Sequence, residues 1–187
     1  MKSLARDVIE LAKFHNFFKP HLLGHSFGGL VSQQAAVDAP DYWGSLTLFC
    51  TGPHWIPNKP DLDTTIHILE TMSMEESWNK YKEETDKLLP RYETYKKRWK
   101  ASDPLSTKTM AMHLKNTQPL ISEIAATKIP VHVIYGENDD AWPLEMQDQM
   151  AKDLNAPCTI IEGAGHCPNE DRPEETVRVL IDFWKNL

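Results

Sequence analysis

Cysteine is scarce in this 187-residue chain: Cys50, Cys158 and Cys167 are the whole complement. Three is an odd number and no C-x-x-C pair occurs, so neither a disulfide framework nor a zinc site is indicated. Cys50 and Cys158 fall in apparent strands and are expected to be buried, and Cys167 to lie in a loop. Positive charge is also short. Twenty Lys and Arg against 27 Asp and Glu leave a formal charge of −7, which argues against a general nucleic-acid surface. The basic run Lys96-Lys97-Arg98-Trp99-Lys100 shares its stretch with Glu83, Glu84, Asp86 and Glu93 and reads as a solvated helix face. No apolar run reaches membrane-spanning length and no signal peptide is visible, so a cytoplasmic protein is expected. What remains is an ordinary globular composition: 41% hydrophobic residues and six tryptophans, enough for one good core in one or two domains.

Against these absences stands one dense motif, Gly24-His25-Ser26-Phe27-Gly28-Gly29, after the apolar pair Leu22-Leu23 and before a helix expected to begin near Leu30. G-x-S-x-G between a strand and a helix is the pattern of a nucleophile elbow. So tight a reversal strains the central residue, and the flanking glycines are expected to supply the room that a Cβ would occupy. The serine oxygen then stands at the carboxyl edge of a sheet, beside a helix N-terminus that favours developing negative charge.

Two further strand ends carry polar chemistry. Val131-His132-Val133-Ile134-Tyr135 is a β-branched run of buried-parallel-strand type, followed by the turn Gly136-Glu137-Asn138-Asp139-Asp140-Ala141-Trp142-Pro143. A helix with apolar positions Leu144, Met150, Ala151 and Leu154 comes next. Cys158-Thr159-Ile160-Ile161 reads as another strand and ends at Glu162-Gly163-Ala164-Gly165-His166. The closing helix opens at Pro173 and shows Val177, Leu180, Ile181 and Trp184 at helical spacing. A serine, an acidic cluster and a histidine therefore each follow a strand, on the edge where open α/β sheets place ligands.

These three motifs together resemble the α/β-hydrolase fold family, with Gly24 to Gly29 as the elbow, Gly136-x-x-Asp139-x-x-x-Pro143 as the acid turn and Gly163-Ala164-Gly165-His166 as the base turn. The resemblance covers the chain except its middle and implies a mostly parallel sheet with flanking helices. It also implies the roles. Ser26 is the nucleophile, His166 the base, and the acid is the residue three after the glycine, Asp139, with its neighbour Asp140 as an exposed or helix-capping alternative. The backbone N–H of Phe27 would be one oxyanion donor. His25 is expected to pack or hydrogen-bond under the elbow and not to act as a second base; His15, His21, His54, His67, His113 and His132 show no ligand spacing. No cofactor and no metal is implied.

The resemblance also marks what is missing. Residues 3–15 read as an amphipathic helix with Leu4, Val8, Leu11, Ala12 and His15 on one face. In the family, earlier strands and the loop giving the second oxyanion donor lie upstream of the elbow, so Met1 matches an internal position of longer relatives. The expectation is therefore an N-terminally truncated core of 1–52 and 127–187, whose strand at 21–24 presents an apolar edge. A truncated gene model, a fragment, or a chain completed by a homo-oligomer or complementing partner all fit. Residues 53–126 break the strand–helix alternation, with helical stretches at 64–74, 75–89 and 92–99, and in the family an insertion here forms a helical cap. Met72, Met74, Trp78, Tyr81, Tyr92, Tyr95, Trp99, Met110 and Met112 are the pool for an apolar pocket, although packing is the commoner use of each. The cap implies a moderately apolar small-molecule substrate.

The functional expectation is a serine hydrolase of small esters, lactones or related acyl compounds. Carbon–carbon bond hydrolase, perhydrolase and acyl transfer to another acceptor stay open. The serine disfavours the epoxide hydrolases and dehalogenases of this fold, which carry aspartate at the elbow. The alternative of a different class is a catalytically silent fragment or partner-binding module that retains the three residues.

Overall fold

The structure, a computed structural model, describes residues 1–54, 62–81 and 92–187, the side chain of Tyr81 apart. It divides into two compact units, Met1–Trp55 with Thr117–Leu187, and Ile56–Asn116.

The first unit is built on four parallel strands, β1 (His21–His25), β2 (Ser45–Phe49), β3 (Val131–Gly136) and β4 (Cys158–Ile161), in the order β1-β2-β3-β4. Every residue of β2 and β3 is buried. That is what central strands of a parallel sheet covered on both faces require, and their β-branched and leucine-rich sequences supply it. The outer strands alternate instead, and here one expectation fails: Cys158 is exposed, because β4 is an edge strand and its first residue points outward. Cys50 is fully buried, as expected.

Helices α1 (Lys2–Phe14), α2 (Phe27–Asp38), α7 (Ile121–Thr127) and α8 (Leu144–Asp153) contribute to the larger core on one side of the sheet. Its members include Ala5, Ile9, Ala35, Leu46, Leu48, Val133, Tyr135, Ile124 and Met150. Helix α1 is helical where expected, and Leu4, Val8 and Ala12 of the expected face are inward, but the stripe is shifted toward Ala5 and Ile9. Ala5, Ile9 and Ala12 are buried, whereas Leu11 is 61% exposed and His15 is also exposed. The small Ala5 and Ala12 let α1 approach α2 closely, and the helix turns to put them there.

On the other face α10 (Pro173–Lys185) follows the short α9 (Pro168–Asp171) and lays Val179 and Leu180 against Phe49, Ile134 and Ile161. Its inward stripe runs through Thr176, Val179, Leu180, Phe183 and Trp184, of which Leu180 and Trp184 were expected. Val177 and Ile181, expected inward, are 53% and 38% exposed. No helix among the described residues is long and apolar enough to cross a membrane.

The second unit holds α3 (Leu62–Thr71), α4 (Met74–Tyr81), α5 (Tyr92–Ala101) and α6 (Pro104–Asn116). Ser73 and Glu76 form a reciprocal capping box at the start of α4, with bonds of 2.9 and 3.2 Å, and Asp103 accepts the Ser106 N–H at the start of α6. Helix α3 packs on α6 and α4 on α5. Four of the aromatic and methionine candidates are spent on packing within this unit. Trp78 donates to the Tyr92 hydroxyl at 3.0 Å, and Trp99 to the Met74 carbonyl at 3.0 Å. The run 96–100 lies on α5 and pairs Lys100 with Glu75, while Glu83, Glu84, Asp86 and the end of the expected 75–89 helix lie outside the described residues. Helix α7, inside the expected 53–126 insertion, packs with α2 in the first unit.

Candidate active site

The elbow is a strained turn. Ser26 sits at φ 54°, ψ −123°, a conformation that costs a non-glycine residue of order 1–3 kcal/mol unless its surroundings over-determine it. They do. The Ser26 N–H donates to Phe49 O at 3.0 Å, and its own carbonyl accepts from the Gly29 N–H at 2.9 Å and from the Thr51 hydroxyl at 2.8 Å. Helix α2 begins at Phe27, three residues earlier than expected, so Ser26 is its N-cap residue and the Phe27 N–H falls among the first-turn donors that lack an intrahelical partner.

The glycines divide differently from the motif. A Cβ on Gly24 would meet Gly28 O and Ser32 Oγ at 2.4 Å, but a Cβ on Gly28 would meet nothing within 4 Å. The crowded partner is Gly29, outside the five-residue pattern, where a Cβ would strike the Thr51 side chain at 2.4 Å. Thr51 both hydrogen-bonds the elbow and packs against it, so glycine is required where Thr51 comes closest.

The two other motif loops converge on this turn. His166 Nε2 lies 2.9 Å from Ser26 Oγ, and His166 Nδ1 lies 2.9 Å from Asp139 Oδ1. Asp139 has a fully buried side chain, whereas Asp140 is exposed. The same Asp139 oxygen accepts the backbone N–H groups of Ala141 at 3.0 Å and Trp142 at 3.3 Å, and Oδ2 accepts Gln147 Nε2 at 3.1 Å. Burial pushes the Asp139 carboxyl up, but the bond and charge of His166, with the Ala141 and Gln147 donors, outweigh it and hold the group below its ordinary value. The protons follow from that. An ionised carboxylate only accepts, so His166 Nδ1 carries the hydrogen of that bond, and with the imidazole neutral Nε2 accepts from the Ser26 hydroxyl.

Main-chain N–H groups tie the acid and base loops together and brace the base loop. Asn138 N–H donates to Ala164 O at 2.8 Å, Gly163 N–H to the Glu137 carboxylate at 2.9 Å, and Gly165 N–H to Asp171 at 2.8 Å. His25 Nε2 lies 2.7 Å from the His166 carbonyl, under the elbow as expected.

Gln147 and Thr51 escaped the sequence reading. The signal for Gln147 was a polar residue on the buried stripe of α8, where it is 0% exposed. Nothing local marked Thr51.

One group among the described residues, His25, Cys50 and His166, brings ligand atoms within 4.8 Å of one another. Both His166 nitrogens and the His25 Nε2 already have hydrogen-bond partners, and burial raises the Cys50 thiol pKa well above its ordinary value. A metal would have to displace those bonds and deprotonate that thiol. A cavity of about 320 Å³ lies at the other end of the sheet, lined by Ile124, Lys128, Val131, Leu154, Asn155 and Phe183. It sits at the amino ends of β3 and β4, opposite the edge where such sheets bind ligands.

Comparison with known proteins matches residues 3–179 to the model of the alpha/beta hydrolase family. The chain belongs to that family. Among curated alpha/beta-hydrolase relatives, the uncharacterized hydrolase YugF of Bacillus subtilis is 24% identical over 98% of this chain and 72% of its own length. Monoacylglycerol lipase ABHD6 of Bos taurus is 27% identical over 74 residues, which cover 39% of this chain and only 22% of the lipase. Among solved structures, a hydrolase from Pseudomonas aeruginosa superposes with a TM-score of 0.80 at 22% identity, covering 96% of this chain and 69% of that one. The enol-lactonase from Burkholderia xenovorans gives 0.81 at 18% identity, with 98% and 72% covered. A thermophilic esterase from Thermogutta terrifontis gives 0.80 at 20%, with 99% and 72% covered. The alpha/beta-hydrolase fold with its parallel sheet is thereby shown.

Proposed function

We propose that this chain is a serine hydrolase of small, moderately apolar esters, lactones or related acyl compounds. The observation that carries the reading is the unbroken hydrogen-bond chain from the Ser26 hydroxyl through His166 to the buried Asp139. Ser26 Oγ attacks the substrate carbonyl as His166 Nε2 takes its proton. The tetrahedral oxyanion accepts a bond from the Phe27 N–H, and His166 returns the proton to the leaving group as the acyl-enzyme forms. Water, deprotonated by the same nitrogen, adds to the acyl carbon, and collapse returns the proton to Ser26. Asp139 fixes the imidazole tautomer and stabilises its charged form. The esterase and enol-lactonase among the structural neighbours support acyl chemistry, and the four methionines in residues 56–116, of seven in the chain, support an apolar acyl or alcohol group. An odd count of three cysteines with no C-x-x-C pair suits a reducing, cytoplasmic setting, which belongs to the same proposal.

The test is labelling of the purified chain by a fluorophosphonate probe, beside Ser26→Ala and His166→Ala. Labelling that needs both residues is expected, followed by turnover in a panel of short-chain esters and lactones. A folded wild-type chain that stays unlabelled would sink the reading.

A second reading has one observation in its favour. Strand β1 is an edge strand with Leu23 37% exposed, a surface that takes up a further strand from a second copy or a complementing chain. Under it the chain is a partner-binding module. A concentration-dependent dimer or capture of a strand-bearing partner, together with absent probe labelling, is the result that would favour it.

A further inference from the structure

The elbow touches the histidine loop at two consecutive residues. Ser26 meets the His166 ring, and His25 Nε2 meets the His166 main-chain carbonyl at 2.7 Å, shorter than the 2.9 Å of either bond to the ring. We propose that His25 is a positioning residue, holding His166 in register with Ser26 and Asp139 by a hydrogen bond to its main-chain carbonyl; this rests on the serine-hydrolase reading.

The chemistry of the contact assigns the proton. A carbonyl oxygen only accepts, so His25 Nε2 carries the hydrogen and donates it. The ring is held in place to do so. Its centroid stands 5.5 Å from that of Phe49 and 4.8 Å from that of His166. The need for such a clamp lies in the sequence of the base loop. Gly163-Ala164-Gly165 precedes His166, and two glycines give the segment more conformational freedom than a catalytic base tolerates. The loop is pinned at Gly163 by Glu137 and at Gly165 by Asp171, but neither bond reaches residue 166. The His25 bond does. Being adjacent to the nucleophile, His25 also ties the position of the base to the position of Ser26, so the two move together.

The surroundings keep the ring neutral, and the Nε2 hydrogen it donates is present in either form. Burial, first, and the charge of a protonated His166 disfavour the His25 imidazolium, while the His166 carbonyl, Asp139 and Glu170 work the other way; the net shift is downward. Cys50 adjoins the same group of side chains as a neutral thiol. His166 therefore has a neutral ring beside it on this side.

The test compares wild type, His25→Ala and His25→Gln, since a glutamine amide retains an N–H to donate. Two readouts are needed. One is the fluorophosphonate labelling rate with ester kcat and KM. The other is the downfield proton NMR signal of the His166 Nδ1–H bonded to Asp139, which does not depend on Ser26 chemistry. His25→Ala is expected to lower labelling and kcat by about 10- to 100-fold with KM within about twofold, as misplacement of about an ångström does. The downfield signal should be lost to exchange. His25→Gln should restore the signal and bring the rate to within about threefold of wild type.

Full activity and an intact signal in His25→Ala would overturn the proposal. So would equal losses in the two folded variants, which would show that ring packing and not the donated hydrogen matters. If the alanine variant does not fold, the glutamine variant decides alone: near wild-type behaviour supports the clamp and loss overturns it. An unlabelled wild type whose signal still vanishes in Ala and returns in Gln would sink the serine reading while the positioning role stood.

Discussion

His166 and His132 make a natural pair for comparison, because each bonds a side chain 27 residues away in sequence, Asp139 for one and Thr159 for the other. His166 stands on a loop past the carboxyl end of β4, and both its nitrogens are engaged. His132 lies within β3, 5% exposed, with Nε2 2.8 Å from the Thr159 hydroxyl and its ring edge-on to Phe183. Its Nδ1 is buried with no hydrogen-bond partner among the described residues. A proton gained by His166 meets a carboxylate; a proton gained by His132 meets nothing. Under the proposed function the same side chain is thus a base in one place and a liability in acid in the other, and what decides is the partner of the second nitrogen.

The comparison breaks most sharply at the site itself. Ser26→Ala or His166→Ala should each lower turnover by about 10⁶-fold, and removing both should cost little more than either, because the groups act as a unit. Asp139→Asn should cost about 10⁴-fold by favouring the wrong imidazole tautomer. These variants should still unfold cooperatively in urea, which separates lost chemistry from lost structure. Gln147→Leu leaves all three residues in place and removes one donor from the buried carboxylate. It is expected to lower kcat by about tenfold and to move the acid limb of the kcat/KM profile to higher pH, since a donor that holds the Asp139 carboxyl down is gone. An unmoved acid limb would show that Gln147 serves packing alone.

His132 supplies the next effect, in stability. Burial holds its pKa below the ordinary 6.5, so the unfolded chain takes up a proton before the folded chain does. Stability is then full above about pH 6.5 and falls as the pH drops from there toward the folded value, with a slope of at most about 1.4 kcal/mol per pH unit for this one group. His25, also lowered by burial, adds a slope of the same sign. Urea midpoints at pH 7.5 and 5.5 should therefore show a loss in wild type that shrinks, without vanishing, in His132→Gln. An identical loss in both would remove His132 from the account.

Much of this arrangement was legible before any coordinates. The three motif turns carry their own geometry, and each follows a strand whose composition announces it, so Ser26, Asp139 and His166 could be named together. Asp139 and Asp140 were not separable by local chemistry; family register favoured the first, and the structure buries it while leaving Asp140 exposed. What failed was everything that depends on which way an element turns or where it ends. Helical spacing gave α1 and α10 the right period and part of the right face, since Ala12 and Val8 in α1 and Leu180 and Trp184 in α10 turn inward, but close packing of Ala5 and Ile9 in α1, and of Thr176 and Val179 in α10, shifted the stripe away from Leu11, Val177 and Ile181. Cys158 sits in a strand as expected, but a strand's place at the sheet edge is a property of the whole topology. Gln147, Thr51 and the His25 bond are long-range contacts, and no spacing rule points to them.

The smallest effect tests the face of the sheet on which His132 lies. Thr47 is its register partner on β2, is 0% exposed, and like His132 has a buried polar atom with no partner among the described residues. Thr47→Val replaces the hydroxyl by a methyl of similar shape, so the packing is kept and an uncompensated desolvation is removed. Stability should rise by about 1 kcal/mol, the lower end of the cost of an unmade buried hydrogen bond. Combined with His132→Gln, the change should add to within about 0.5 kcal/mol if each polar atom is separately unpaired. A larger coupling would mean that Thr47 Oγ1 and His132 Nδ1 share a bridging group, and the contrast with His166 would narrow, because both nitrogens of His132 would then be engaged. The candidate site carries no such ambiguity: there, each nitrogen of the His166 ring has its partner at 2.9 Å.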